Sequence, residues 1–319
     1  MTTTTPTTTR TARAPGKLVI IGEYAVLAGH AAVVAAVDVY ATATRGPGAG
    51  IAFDDGGLLR ACLDEAIDGA LIDVLPDDTI AVDTVDFKDA QGRKYGLGSS
   101  AAVCVAFLRV LLPDLDDDGL HGLAQRAHRR FQHGKGSGID VAASVYGGLV
   151  HFRRCSDVAD DVWGSALPMR LSDAGVGALV VWSGHSQDTR DFVSKCQNAW
   201  MTSSTAAETA AAIAGIAEAT TTFLQALAAS DQGRLLASIS TARLHMGDLG
   251  LVAGADIVSA PHRAIAVIAA SHGGSAKPSG AGGGDIALAF APLSTLPALS
   301  SALSSAGFAV LPISLGASI

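Results

Sequence analysis

Four segments of this chain combine lysine, aspartate, serine and glycine in patterns that suit the handling of a phosphate. In KYGLGSSAAVCVAFL, Lys94 to Leu108, Gly96 and Gly98 flank Leu97 and let the backbone approach a ligand closely. Ser99, Ser100, Ala101 and Ala102 then open an apolar helix, whose N-terminal N–H groups and dipole form an anion site suited to a triphosphate. A serine hydroxyl there can also reach Mg2+. The pattern is not the Walker one, since no Gly-Lys-Ser/Thr follows. Alone, the segment reads equally well as a small-residue helix start needed for packing.

The other three segments carry the same ambiguity one at a time. In APGKLVIIGEYAVLAGH, Ala14 to His30, Lys17 stands at the start of an apolar strand. That is a costly place for a charge unless it faces a cleft, an anion or water at an edge. Glu23 and Tyr24 occupy the turn that follows. In HGKGSGIDVAASVYGG, His133 to Gly148, Asp140 follows a loop containing Lys135, Ser137 and Gly138. It reads either as a helix N-cap, worth about 1 kcal/mol, or as a carboxylate presented at a loop–helix junction. In SAKPSGAGGGDIALAF, Ser275 to Phe290, the glycines around Ser279, Gly280, Ala281 and Gly282 exceed the needs of a simple turn. Backbone wrapped around a ligand explains them better than a linker does, because an apolar strand follows at once.

The elements that position these segments alternate between strand and helix patterns. Leu18–Ile21, Val33–Val37 and Val39–Thr44 read as strands; a helix covers 57–72, a strand Ile80–Phe87, and helices follow Ser99 and span 119–132. A second half begins near 165–175. It contains a strand at Val176–Trp182 and alanine-rich helices near 204–229, 232–247 and 258–271, then strand Ile286–Phe290, helix 293–305 and strand Phe308–Ile313. The fold class is α+β, with 1–13 a disordered lead, 14–170 an N-terminal domain and 171–319 a C-terminal domain.

Composition narrows the partners. Among 319 residues, 30 acidic against 22 basic side chains give a net charge of −8, which argues against sequence-independent nucleic-acid binding. An anionic ligand must then be held by a local basic pocket. Mean hydropathy is +0.36, yet the long uncharged stretch after Asp285 is broken by Pro292, Pro297, Gly307 and Pro312. A spanning helix needs about 20 continuous apolar residues, so no membrane partner is expected, and MTTTTPTTTR shows no signal-peptide core. Cys62, Cys104, Cys155 and Cys196 are scattered, as expected of free thiols in a cytoplasmic protein. His121, His128 and His133 match no usual zinc spacing and read as structural.

All four segments, in this order, resemble the GHMP kinase superfamily over nearly the whole chain from Ala14. KYGLGSSAA resembles its phosphate-binding motif, APGKLVIIGEYAVL its N-terminal motif and KPSGAGGGD its C-terminal glycine motif. The resemblance implies an N-terminal domain like domain 2 of ribosomal protein S5, a ferredoxin-like C-terminal domain and an active site between them. It implies ATP as co-substrate and Mg2+, with Ser100 as a metal ligand and Lys94 beside the nucleotide phosphates. Asp140 takes the position of the catalytic aspartate, with Lys17 its partner. Glu23, Tyr24, Lys135, Ser137, Gly138, Ser279, Gly280, Ala281 and Gly282 fall to a small anionic substrate. Arg190 joins them from WSGHSQDTRDFV, similar to the Gly-x-x-x-x-T loop of these kinases.

Within the superfamily, Gly22-Glu23-Tyr24, the lysine of KYGLGSS and the lack of any glutamate between Glu65 and Glu208 resemble phosphomevalonate kinases more than mevalonate kinases. The implied reaction is ATP-dependent phosphorylation of 5-phosphomevalonate by a monomer or homodimer. The alternatives are a mevalonate kinase or relative acting on a small alcohol, and a non-catalytic ligand sensor on the same fold.

Overall fold

Two long strands open the chain and organise everything that follows. A computed structural model describes residues 9–48, 57–73, 78–88, 92, 95–134, 136–154, 162–184, 189–284 and 286–319. Strand β1 (Arg10–Ile21) pairs antiparallel with β2 (Ala31–Gly46) along nearly its whole length. The sequence reading placed residues 1–13 in a disordered lead. Instead, Arg10–Arg13 extend β1, because β2 is 16 residues long and offers Thr42–Arg45 as partners. The two apolar runs read around Asp38 are likewise one strand, with Asp38 itself exposed.

Helix α1 (Leu58–Asp68), strand β3 (Thr79–Asp83), helices α2 (Ser99–Leu111), α3 (Asp117–Phe131) and α4 (Ile139–Tyr146), and strands β4 (Leu149–Arg154) and β5 (Val162–Leu167) complete the first half. The first sheet has the order β1-β2-β4-β5, with β3 also on β2. Strand β1 therefore has a free edge. The strand expected over Ile80–Phe87 stops at Asp83 and turns into a short 3-10 segment, Val85–Phe87.

The second half contains β6 (Val176–Trp182), α5 (Thr189–Met201), α6 (Ala206–Ala228), α7 (Gln232–Ala253), α8 (Ala260–Ser271), β7 (Ser275–Pro278), β8 (Ile286–Pro292), α9 (Leu296–Ser305) and β9 (Ala309–Leu311). Its sheet order, β7-β8-β6-β9, is all antiparallel. With helices in the first and last crossovers, this is the β-α-β-β-α-β ferredoxin-like pattern. Its observed elements match the α+β expectation closely.

A large apolar cluster runs through both halves. It joins Leu18, Ile20 and Val37 of the first sheet to Phe223 and Leu227 of α6 and Leu288 and Phe290 of β8. Helix α6 is long and apolar enough to cross a membrane by length and composition. Its buried residues Thr209, Ala212, Ile213, Ile216, Ala219, Thr220, Phe223 and Leu227 form one helical stripe, which supplies the packing surface between the halves. The chain end also crosses back: Leu315 bridges Val37, Asp38 accepts from the Ser314 N–H at 2.7 Å, and the Gly148 N–H donates to Ala317 O at 2.8 Å. The last residues of the expected C-terminal domain thus lie against the first sheet.

Candidate active site

The free edge of β1 is the spine of the site. Residues 15, 17 and 19 point their backbone groups the same way because a strand alternates with period two. Each engages a different motif segment. Pro15 O accepts from Ser144 Oγ of α4 at 2.8 Å, the Lys17 N–H donates to Leu97 O at 2.8 Å, and Val19 O accepts from Ser279 Oγ at 3.0 Å. A register shift between Pro15 and Gly16 bends the strand there, a device that re-aims the side chains beside it.

That bend delivers Lys17 to the start of α2. A side chain at Gly98 would place its Cβ 3.0 Å from both Cγ and Cε of Lys17. Gly98, at φ +74°, is the left-handed N-cap, and no acidic residue enters the first turn. The first intrahelical bond runs from the Ala102 N–H to Gly98 O at 3.3 Å. The N–H groups of Ser99, Ser100 and Ala101 precede that ladder and face outward from the helix end. With the buried Leu97 anchoring the loop, this is an uncapped helix terminus with a cation laid across it, a good phosphate site.

Asp140 is the second residue of α4, and Gly138 is its N-cap, so the N-cap reading of Asp140 does not hold. Asp140 and Ser144 are one turn apart on one face, and Ser144 bonds β1 just before Lys17. The Asp140 carboxylate therefore lies on the face of α4 turned towards β1. Its Oδ1 accepts from the Val141 N–H at 3.1 Å, and Ser137 Oγ accepts from the Ile139 N–H at 3.4 Å. Among the described residues, neither Lys17 nor Asp140 has an ion-pair partner; both charges remain available.

The C-terminal glycine segment is clamped to the turn after β1. Lys277 of β7 is fully buried and forms an ion pair with Glu23 Oε1. The Gly280 N–H donates to the same oxygen at 3.3 Å, and Tyr24 Oη donates to Ala281 O at 2.5 Å. Burial pulls the Lys277 ammonium below its ordinary value, and the Glu23 charge opposes that pull. Burial also raises the Tyr24 hydroxyl, keeping it a donor. Glu23 Oε2 is buried and has no hydrogen-bond partner among the described residues. Glu23, Tyr24, Ser279, Gly280 and Ala281 are thus brought together, with Glu23 bonded to Gly280 and Tyr24 to Ala281.

Arg190 falls at the second residue of α5, and its side chain is outside the described residues, as are Lys94 and Lys135. Helix α5 meets the glycine segment through Phe192, whose ring lies 2.3 Å from where a Cβ on Gly283 would sit. Lys277 does not stand out in the sequence, although its lysine-proline step lies within the fourth segment. Nor does His128, whose Nε2 lies 3.0 Å from Ser100 Oγ. No group of three His, Cys, Asp or Glu side chains that could hold a metal occurs among the described residues. Ser100 Oγ, beside the open end of α2, is the oxygen that the sequence expectation assigns to Mg2+, a cation that takes oxygen ligands and few of them from protein.

Comparison with known proteins gives this arrangement a family. Residues 84–148, which hold both the Ser99–Ser100 loop and Asp140, match the model of the GHMP kinases N terminal domain. A phosphomevalonate kinase from Streptomyces sp. strain CL190 is 30% identical over 86% of this chain and 88% of its own length. A mevalonate kinase from Aeropyrum pernix is 32% identical over 57% of this chain and 60% of its own. The phosphomevalonate kinase of Streptococcus pneumoniae, solved with phosphomevalonate and AMPPNP, shares the fold with a TM-score of 0.82. It is 20% identical, over 96% of this chain and 99% of that one. The chain belongs to the GHMP kinase family, and is a phosphotransferase of that class.

Proposed function

We propose that this kinase transfers the terminal phosphoryl group of ATP to 5-phosphomevalonate, forming 5-diphosphomevalonate and ADP. The observation that carries the reading is the common attachment of all three motif loops to the free edge of β1, with Lys17 lying across the open end of α2. The near full-length relationship to a phosphomevalonate kinase supports the choice of acceptor.

The chemistry asks for cations more than for a base. A phosphomonoester has its second pKa near ~6, so at neutral pH it is already an ionised nucleophile. The obstacle is bringing its charge against a triphosphate, and positioned positive groups remove it. Lys17 sits at the donor phosphates; Lys94, Lys135 and Arg190 are the further candidates by sequence. The N–H groups of Ser99, Ser100 and Ala101 bind phosphate oxygens. Asp140, on the α4 face towards β1, orients the Lys17 ammonium. Bound Mg2+ would neutralise charge on the phosphates, with Ser100 the residue holding it. Glu23 Oε2 and the glycine segment serve the acceptor. In this reading 14–170 supplies the nucleotide site and 171–319 closes the acceptor side. The buried cysteines Cys62, Cys104 and Cys196 suit a reducing cytoplasm.

Mevalonate kinase is the second reading, carried by the Aeropyrum relative. ADP release measured with mevalonate, 5-phosphomevalonate, homoserine and galactose separates the two. We expect turnover with 5-phosphomevalonate, lost by about 100- to 1,000-fold in Lys17→Met, the usual cost of removing a transition-state cation or donor. Faster turnover of mevalonate would overturn the choice of acceptor. Retention of activity in Lys17→Met would overturn the site.

A further inference from the structure

Helix α3 carries a polar stripe where apolar residues are expected. His121, Gln125, His128 and Gln132 recur at i, i+4, i+7 and i+11 and so share one face. The first three are at most 5% exposed. Buried polar groups are costly unless each has a partner. Here the partners belong to the two catalytic loops. Gln125 Nε2 donates to Gly138 O at 2.7 Å, at the N-cap of the Asp140 helix, and lies 3.0 Å from His121 Nε2. Burial lowers the His121 pKa to about 4, so that ring is neutral and can accept. Three residues along, His128 Nε2 lies 3.0 Å from Ser100 Oγ, with Gln132 Nε2 3.5 Å from the same ring nitrogen.

The direction of the Ser100 contact decides what that serine can do. An amide nitrogen beside His128 Nε2 is a donor, which favours an unprotonated Nε2 with the ring proton on Nδ1. The Ser100 hydroxyl then donates to His128. A hydroxyl has one proton and two lone pairs, so only lone pairs are left for a ligand. We propose that His128 is a positioning residue: by accepting the Ser100 hydroxyl's hydrogen bond it leaves that serine only lone pairs, able to hold a phosphate-bound cation and unable to donate to a bare phosphate. The site would then prefer the Mg2+ complex of the nucleotide over free ATP. This rests on the reading of Ser100 as a residue of the nucleotide site.

Equilibrium binding of ATP to the full-length protein, with Mg2+ and with EDTA, tests this directly. The wild type should bind MgATP more tightly than free ATP. His128→Leu should weaken MgATP binding by about tenfold, the scale of one lost hydrogen bond to a charged assembly, while free ATP changes by less than about twofold. Ser100→Ala should show the same selective loss, and the double variant should be no worse than either, since coupled residues are non-additive. His128→Gln, whose amide oxygen can accept the same proton, should recover most of the Mg2+ preference. Additive losses, or wild-type MgATP binding in His128→Leu, would overturn the role of His128 alone. If neither form of ATP binds the wild type, the nucleotide site itself falls. Should the leucine variant fail to fold, long-range proton–nitrogen NMR of His128 decides: a proton on Nδ1, with an Nε2 shift that moves in Ser100→Ala, supports the proposal. A proton on Nε2 ends it.

Discussion

The two glycine-rich cradles on the β1 edge use glycine in opposite ways. At Gly98 the residue keeps a helix end open: its three leading N–H groups lack a side-chain cap, and the adjacent Lys17 has no ion-pair partner among the described residues. At Ser279–Gly283 the Ser279 hydroxyl, the Gly280 and Gly283 N–H groups and the Ala281 carbonyl are already bonded, to Val19, Glu23, Ile257 and Tyr24 in turn, and a fully buried ion pair locks the base of the loop. The first cradle is built to receive charge. The second is built to stay shut in one shape, so that the single unpartnered oxygen of Glu23 is held in place. Sequence composition alone makes the two look alike; the partners of their backbone groups separate them.

The largest way to test that contrast is to cut the lock. Lys277→Met leaves the Glu23 carboxylate buried without compensation, which costs about 3–5 kcal/mol. Denaturant titration should show that loss, whereas Lys17→Met, at the open cradle, removes a half-buried charge with no ion-pair partner among the described residues and should change stability by less than about 1 kcal/mol. Adding Glu23→Gln to Lys277→Met should recover part of it. A loss under about 1 kcal/mol in Lys277→Met would mean the pair is not a lock.

Acid pH should load both regions through neutral, buried histidines. His262, at the start of α8, is brought to about 4 by burial, with the Lys277 charge adding to it; His121 is brought to about 4 by burial. Both lie below the ordinary 6.5, so the unfolded chain binds more protons between those values. Stability is therefore complete above pH 6.5 and falls as pH drops towards about 4. The ceiling is about 3 kcal/mol per histidine at about 1.36 kcal/mol per unit. Unfolding followed across this window should lose part of its pH slope in His262→Gln and a comparable part in His121→Gln, with His151, lowered in the same direction, contributing to the remainder. An unchanged slope in both variants would remove these two groups from the account.

The sequence makes the periodic and punctuated parts of this fold legible. Val176–Trp182 is a strand with the bounds its β-branched run suggests, and α6 follows its apolar spacing closely, whereas α7 starts where expected and runs on past 247 to Ala253. It hides what depends on distant partners. Arg10–Arg13 have no strand signal of their own and are ordered by β2. Strands β4 and β5 are short and carry His151, Arg153 and Trp163 among apolar residues, which blurs their alternation. For the site, Lys17, Ser100 and Asp140 stand out by residue type beside glycine. Lys277 and His128 do not, because a buried lysine and a buried histidine take their meaning from Glu23 and Ser100, 254 and 28 residues away.

Single methyl groups sharpen the comparison further. A Cβ at Gly282 would meet Ile257 O at 2.3 Å, a backbone atom, at φ +77°. Gly282→Ala should therefore destabilise the fold by about 2 kcal/mol, the scale of overpacking with backbone strain. At Gly98 the obstacle is the flexible stem of Lys17, which can swing away. Gly98→Ala should cost about 1 kcal/mol of stability, and instead lower activity by tenfold or more, about 1.4 kcal/mol, by displacing the ammonium. Melting curves and kcat measured side by side give the test: equal thermal losses with equal residual activity would erase the distinction between an open and a closed cradle.

The smallest effect, Asp140→Asn, carries the mechanism. Were Asp140 a general base for an alcohol, removing its charge should abolish proton transfer and lower kcat by about 100-fold or more. With an acceptor that is already ionised, its task shrinks to orienting Lys17, and an amide can still hold an ammonium through its oxygen. The expected loss is about tenfold, about 1.4 kcal/mol, in kcat and with little change in KM for the acceptor. Lys17→Met should cost at least ten times more, because it removes the cation itself. If the order is reversed, with Asp140→Asn the more damaging change, the acceptor oxygen arrives protonated. The substrate must then be an alcohol, and the closed cradle would be holding a hydroxyl in place of a phosphate.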